Sequence, residues 1–169
     1  MHLLAFLTIA FTVLLFSSCG SSSGHSGYIN RSYFIRGQHY QPMSVNQALN
    51  YSEVGEASWY DESKWFGFKR GNTSLGEKVQ PWHISGAHKT LPLPCEVEVT
   101  NLQNGKSIKM RLNDRGPFIL GRIIDVTPRA AKKLDFHQDG LTKVRVEVIS
   151  VGDGKHKRKA KRKKRFLFF

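Results

Sequence analysis

The feature that most constrains this chain is a run that alternates apolar and polar residues, turns, and alternates again. Cys95, Val97 and Val99 interleave with Glu96, Glu98 and Thr100, and after Asn104-Gly105 the residues Ile108, Met110 and Leu112 interleave with Lys109 and Arg111. Period-two alternation puts the apolar side chains on one face of a strand. Asn-Gly adopts the positive φ angles that a tight hairpin turn needs. The spacing therefore predicts a hairpin over 95–112 with one buried face. Val144, Val146 and Val148 around Arg145 and Glu147 predict another strand, and Gly55–Tyr60 and Arg122–Val126 predict shorter ones. One helix is expected over Arg129–Leu134, with Thr127 at the N-cap position and Pro128 at the first helical position. Strands of this kind expose pairing edges unless they close on themselves. The expected fold is mainly β: a small, mostly antiparallel barrel with a short inserted helix. Side chains fill its interior, so a ligand must bind on the surface or in a groove.

Composition narrows the function classes. The chain has 169 residues, 40% of them hydrophobic, which suits one compact domain. Lys and Arg number 26 against 13 acidic residues, but nine of those cations fall between Lys155 and Arg165, where no acid occurs. The segment 51–150 holds 15 basic and 12 acidic residues, so a uniformly basic nucleic-acid-binding domain is not expected. Two cysteines exclude a disulfide-rich scaffold.

Met1–Phe16 is apolar except for His2, Thr8 and Thr12, and ends in Ser17-Ser18-Cys19-Gly20. An apolar run followed by small residues reads as a secretion signal. The position of Cys19 is similar to a bacterial lipobox, where the thiol is lipidated and becomes the first residue. An uncleaved anchor, or an ordinary signal with a coincidental cysteine, are the alternatives. The expected organisation is a lipoprotein signal over 1–18, a Gly/Ser tether over 19–27 and an N-terminal extension over 28–50. A barrel over 51–150 and a basic, disordered tail over 151–169 complete it. Tyr28, Tyr33, Phe34 and Tyr40 would strap the extension to the barrel. With Cys19 lipidated, Cys95 reads as a small buried hydrophobe, the alternative being a lone nucleophile.

Six ordered signatures carry a resemblance: Gly55-Glu-Ala-Ser-Trp-Tyr60, Gly71-Asn-Thr-Ser-Leu-Gly-Glu77, Ala87-His-Lys-Thr-Leu-Pro92, Val99-Thr-Asn-Leu-Gln-Asn-Gly105, Asn113-Asp-Arg-Gly-Pro-Phe118 and Gly121-Arg-Ile-Ile-Asp-Val126. In order and spacing they resemble the rare lipoprotein A family, many of whose members are septal or cell-envelope lytic transglycosylases. The resemblance covers roughly Tyr28–Ile149. It implies a six-stranded double-psi β-barrel and, as substrate, the glycan backbone of peptidoglycan, cut to leave 1,6-anhydro-muramic ends on strands lacking stem peptides. A non-catalytic peptidoglycan-binding or septal lipoprotein of the same fold is the alternative. The resemblance also implies functional roles at Glu77, His88 and Asp114.

Those residue types suit the chemistry. A glycosidic bond breaks when a proton reaches the leaving oxygen and an oxocarbenium-like centre is stabilised. Asp114, before a Gly-Pro turn, is the expected acid/base, against a reading as a turn cap. Glu77, after Gly76, is the expected second carboxylate, against an exposed loop acid. His88 would steady a carboxylate or the sugar, or else pack a strand. Arg115 beside Asp114 would lower its pKa if the two paired, and burial would raise it. Asp125 reads as scaffold, pairing with Arg122 or capping the helix. Trp59, Tyr60, Trp65 and Trp82, with Arg115, are the expected substrate-binding residues, Trp65 and Trp82 being favoured for the groove. No cofactor is called for. His39, His83 and His88 match no standard zinc spacing, and the chemistry needs no metal. Expected partners are peptidoglycan strands, a bilayer through acylated Cys19, and an anionic lipid leaflet or acidic envelope polymer at the basic tail. Nucleic acid is not expected in the cell. The envelope is the expected location, the outer membrane being preferred because Gly20 gives no inner-membrane retention signal.

Overall fold

The computed structural model describes residues 27–60 and 71–161. In chain order its elements are β1 (Tyr33–Ile35), β2 (Gln38–Tyr40), α1 (Val45–Ala48), β3 (Ser52–Trp59), β4 (Ser85–His88) and β5 (Cys95–Asn101). They continue with β6 (Ser107–Asp114), β7 (Arg122–Val126), α2 (Pro128–Leu134), β8 (Leu141–Val151) and β9 (Arg158–Lys159). The main sheet runs β3-β7-β4-β6-β5-β8-β9, and β8 also pairs with β3. That second pairing closes six strands into a barrel. β3 runs parallel to β7 and β4 parallel to β6, while β3–β8, β4–β7, β5–β6 and β5–β8 are antiparallel. The result is a mixed, mostly antiparallel six-stranded barrel in the double-psi arrangement.

Alternation decides which side chains fill it. Val97 and Val99 of β5, Met110 and Leu112 of β6, and Val144, Val146 and Val148 of β8 are buried, while Glu96 and Glu98 are not. β5 and β6 pair as the hairpin the sequence predicts, with Cys95 opposite Leu112 and Val99 opposite Ile108. Cys95 is buried and free, and burial pushes its thiol up to about 12, so it packs as a small hydrophobe. Helix α2 plugs one side with Ala130, Ala131 and Leu134, and Phe136 follows them into the core. Thr127 stands at its N-cap but gives the helix no side-chain bond. Its hydroxyl donates instead to the His83 carbonyl at 2.6 Å, fastening the helix start to the segment before β4. Leu91 and Leu93, in the connection after β4, are fully buried and seal the core from that end.

The N-terminal segment is bound to this connection. Ile29 exchanges two backbone hydrogen bonds with Leu93, Met43 N–H donates to the Thr90 carbonyl, and the Tyr33 hydroxyl donates to the Lys89 carbonyl at 2.7 Å. Tyr33 stacks on Tyr40, and both rings meet Phe118 edge-on. Phe34 and Tyr28 take no part in that strap: Phe34 is 69% exposed and lies against His39, and Tyr28 is exposed.

The tail departs from the expected disorder. Pairing between β3 and β8 stops at Ser52 opposite Glu147, so the last residues of β8 keep a free edge. Arg158 and Lys159 take it, opposite Val151 and Ser150. Asp153 pairs with Arg111 at 3.0 Å and Lys157 with Glu96 at 2.9 Å. Residues 151–161 thus lie on the barrel, and 162–169 fall outside the described residues. A two-residue edge strand carries no alternation, so nothing in the local sequence signals it.

Gly86 shows how tightly β4 is inserted. A Cβ there would lie 2.7 Å from the Asp125 carbonyl oxygen and 3.3 Å from both Leu112 Cδ2 and Met110 Sδ. Overpacking against backbone cannot relax by a rotamer change. G86A is expected to lower unfolding stability by about 1–3 kcal/mol in urea titration, and a stability within error of the parent would contradict this packing.

Candidate active site

The site is assembled where a Gly-rich turn meets the end of β6. Thr73 and Glu77 close the turn through Thr73 N–H to the Glu77 carbonyl at 2.7 Å and Glu77 N–H to the Thr73 hydroxyl at 3.2 Å. Gly76 sits at φ +78°, a conformation that favours glycine, and buried Leu75 pins the tip to the core. The turn thereby presents Ser74 and Glu77 to β6.

Two neighbouring residues of β6 receive them. Asp114 Oδ1 accepts from Ser74 N–H at 2.8 Å, the Ser74 hydroxyl at 2.7 Å and Arg115 N–H at 2.7 Å. Among the described residues no hydrogen bond reaches Oδ2. Glu77 Oε2 accepts from Arg111 Nη1 at 2.7 Å and Asn113 Nδ2 at 2.8 Å. Arg111 is itself shared with Asp153. Asn113 Oδ1 is buried and has no hydrogen-bond partner among the described residues, so its amide is aimed at Glu77 at the expense of its own oxygen.

Two adjoining cavities, of about 340 and 240 Å³, share Glu77, His83, Ser85 and Asn113 as walls. The larger adds Trp82, Arg111 and Arg129, and the smaller adds Tyr60 and Thr73. Glu77 thus faces both. Asp114 is half-buried and lines neither; it stands on the other side of the 73–77 turn, joined to it through Ser74. The turn links the two acids, one on each flank.

His88 is 3% exposed and lines neither cavity. Its Nδ1 accepts from Thr90 N–H at 3.1 Å and Leu91 N–H at 3.0 Å, and its Nε2 lies 2.8 Å from the Tyr51 hydroxyl. With Nδ1 an acceptor, the ring proton belongs on Nε2 and is donated to Tyr51, whose own proton goes to Glu53 at 2.5 Å. Burial, reinforced by the Arg115 and Lys89 cations, pulls the His88 pKa down to about 3. The ring is neutral and packed.

Arg115 does not pair with the Asp114 carboxylate through its side chain. Its guanidinium donates to the carbonyls of Ile29, His88, Lys89 and Leu91 and lies 5.3 Å from the centre of the Tyr33 ring. Trp59 stacks on His137 at 4.4 Å and donates its indole N–H to the His137 carbonyl, away from the cavities. Trp82 is 47% exposed at the larger cavity, and Trp65 lies outside the described residues. Asp125 accepts from the Ser58 hydroxyl, to which Arg122 also donates; burial raises its pKa. It is scaffold between β3 and β7. Among the described residues no three His, Cys, Asp or Glu side chains gather in a way that could hold a metal ion.

Sequence reasoning missed Arg111, Asn113, Ser85 and Arg129, and weighed His83 only as a metal ligand. For two of them a signal exists: Arg111 and Asn113 share one face of β6 by parity, next to the Asp114 already singled out.

The lytic transglycolase family model matches residues 52–146. Three proteins named endolytic peptidoglycan transglycosylase RlpA illustrate the similarity. The one from Rickettsia felis is 44% identical over 121 residues, covering 72% of this chain and 51% of that protein. The one from Neisseria meningitidis serogroup A is 46% identical over 123 residues, covering 73% and 49%. The one from Pseudomonas aeruginosa strain UCBPP-PA14 is 46% identical over 126 residues, covering 74% and 35%. The chain thus spans about half the length of these relatives, or less.

The buried histidine makes stability pH-dependent in a defined window. His88 takes up its proton near 6.5 when unfolded and near 3 when folded. Between those values the unfolded chain binds the extra proton, so stability falls as pH drops, by up to about 1.4 kcal/mol per unit. H88Q should be less stable than the parent at pH 7.5 yet lose less stability between pH 6.5 and 3. Parallel curves in denaturant titrations would contradict the assignment.

Proposed function

Because this chain belongs to the lytic transglycolase family, we propose that it cleaves the glycan backbone of peptidoglycan, endolytically, leaving 1,6-anhydro-muramic ends on strands that lack stem peptides. The observation that carries this reading is the pair of carboxylates fastened to the two flanks of one turn, Glu77 through Asn113 and Asp114 through Ser74.

Asp114 is the proposed acid/base. Three donors fix Oδ1, which leaves Oδ2 to exchange a proton with substrate. The protonated carboxyl gives its proton to the leaving glycosidic oxygen as the bond to the anomeric carbon breaks. The carboxylate then takes the proton of the muramic C6 hydroxyl as that oxygen bonds the same carbon, closing the anhydro ring and restoring the acid. Glu77, held beside Arg111, stabilises positive charge developing at the anomeric centre. His88 acts through its neighbours: it holds the Thr90 and Leu91 amides, Leu91 accepts from Arg115, and Arg115 N–H holds Asp114. Tyr60 and Trp82, which line the smaller and the larger cavity, are the proposed aromatic contacts to sugar.

A second reading, non-catalytic binding of peptidoglycan, is favoured by one observation: Asp114 lines neither cavity. In either case Cys19, outside the described residues, is the proposed lipid attachment, holding the protein in the bacterial envelope. The basic run from Lys155 then meets anionic lipid or an acidic envelope polymer. No helix among the described residues is long and apolar enough to cross a membrane.

Mass analysis of fragments released from bare glycan separates the two readings. The parent should give anhydro-ended products, D114N should lower their formation by about 10²-fold or more, and E77Q should reduce kcat more than it raises KM. Binding without anhydro ends in the parent protein assigns the non-catalytic reading.

A further inference from the structure

The larger cavity has a guanidinium that the proposed chemistry does not use. Of its two arginines, Arg111 lies between Glu77 at 2.7 Å and Asp153 at 3.0 Å, so its charge is compensated. Arg129, on the same wall system, is exposed and has no hydrogen-bond or ion-pair partner for its guanidinium among the described residues. Trp82 borders the same space and is 47% exposed.

The backbone segments that carry Trp82 and Arg129 are tied together. Arg129 N–H donates to the Pro81 carbonyl at 3.3 Å, Thr127 N–H to the Ser85 carbonyl at 3.0 Å, and the Thr127 hydroxyl to the His83 carbonyl at 2.6 Å. These bonds bracket Trp82 and tie its segment to the start of α2. The backbones that carry the ring and the guanidinium therefore keep one spacing, and both side chains line the cavity that Glu77 also lines. An indole face takes up the apolar side of a sugar ring, and a guanidinium takes a carboxylate through two parallel hydrogen bonds. Together they fit a sugar that carries a carboxylate.

We infer that the cavity between Trp82 and Arg129 is a subsite for an acidic sugar, in which Arg129 pairs with the free lactyl carboxylate of a muramic residue. The inference rests on the peptidoglycan reading above and gives its strand preference a cause. On a strand without stem peptides that lactyl group ends in a charged carboxylate. Where a stem peptide is attached, the same carbonyl is a neutral amide with a chain following it. Arg129 then loses its ion pair, and the peptide must find room at the cavity mouth. A guanidinium at this point favours the bare strand and disfavours the substituted one.

The test uses bare glycan strands and the same strands with their lactyl carboxylates converted to methylamides. Binding is measured on the full-length D114N protein, so turnover does not interfere, and KM is measured on the catalytically intact chain. D114N should bind bare strands about tenfold or more tightly than amidated ones, with a preference that shrinks as salt is added. D114N/R129Q should bind both alike, at the level of the amidated strands, and D114N/R129K should keep part of the preference. D114N/W82A should weaken both by a similar factor. The R129Q change sits on an exposed position, and circular dichroism checks its fold. Equal binding of the two substrates by D114N, no binding of bare strands, or undiminished preference in D114N/R129Q overturns the subsite. Discrimination that depends on Arg129 without anhydro ends from the intact chain would leave the subsite standing and remove the cleavage reading. Cleavage without discrimination would do the reverse.

Discussion

The pairing of β8 with β5 along one edge and with β3 along the other is the constraint on which the rest depends. Without it the sheet is an open ribbon with two unpaired edges. With it, six strands close, and their apolar faces point to a common interior. Closure also decides where chemistry can occur. A barrel of this size is packed solid with Val, Leu and Ile, so polar groups gather at strand ends and in the connections crossing the mouth. Asn113 and Asp114 are the last residues of β6, and the 71–79 turn that meets them is one of those connections.

The parts of this fold legible in sequence are those where one residue pattern has one physical solution. Alternation around Asn104-Gly105 leaves little choice but a hairpin, and Pro128 ahead of Ala130 and Ala131 leaves little but a helix start. β4 was not legible as a strand. Ser85-Gly-Ala-His carries no bulky alternation because small residues are what fits there: at Gly86 the neighbouring backbone leaves no room for a side chain. Leu91 and Leu93 are buried in the connection to which Ile29, Met43 and Tyr33 bond, a long-range arrangement with no local trace. The tail strand is similar. Its pairing follows from β3 being shorter than β8.

At the site, identity was more legible than connection. Glu77 and Asp114 stand out as carboxylates beside Gly-rich and Gly-Pro turns. That Ser74 holds one of them and Asn113 the other is visible only when the turn is laid against β6. Arg115 shows the converse. Adjacent to Asp114 in sequence, it reads as a partner for that carboxylate. The extended chain sends the two side chains to opposite faces, and the guanidinium collects carbonyls from the connection after β4 instead. His88 is withdrawn from solvent for a related reason, since its ring caps the turn over residues 88–91 and so shapes the surface that Arg115 grips.

Arg111 ties the tail to this arrangement. Each of its two ion pairs is partly exposed, and such pairs stabilise a fold by about 0–1 kcal/mol apiece. Their importance is geometric rather than energetic. A guanidinium is planar and rigid, so a carboxylate on each of two nitrogens fixes its plane, and that plane fixes where Glu77 Oε2 sits. Asp153 is the second residue past the end of β8, and the β9 pairing and the Lys157–Glu96 contact hold the segment that follows it. The described part of the basic run, Lys155 to Lys161, is thereby held against the barrel. Its first turn belongs to the same network of charges as the candidate carboxylate.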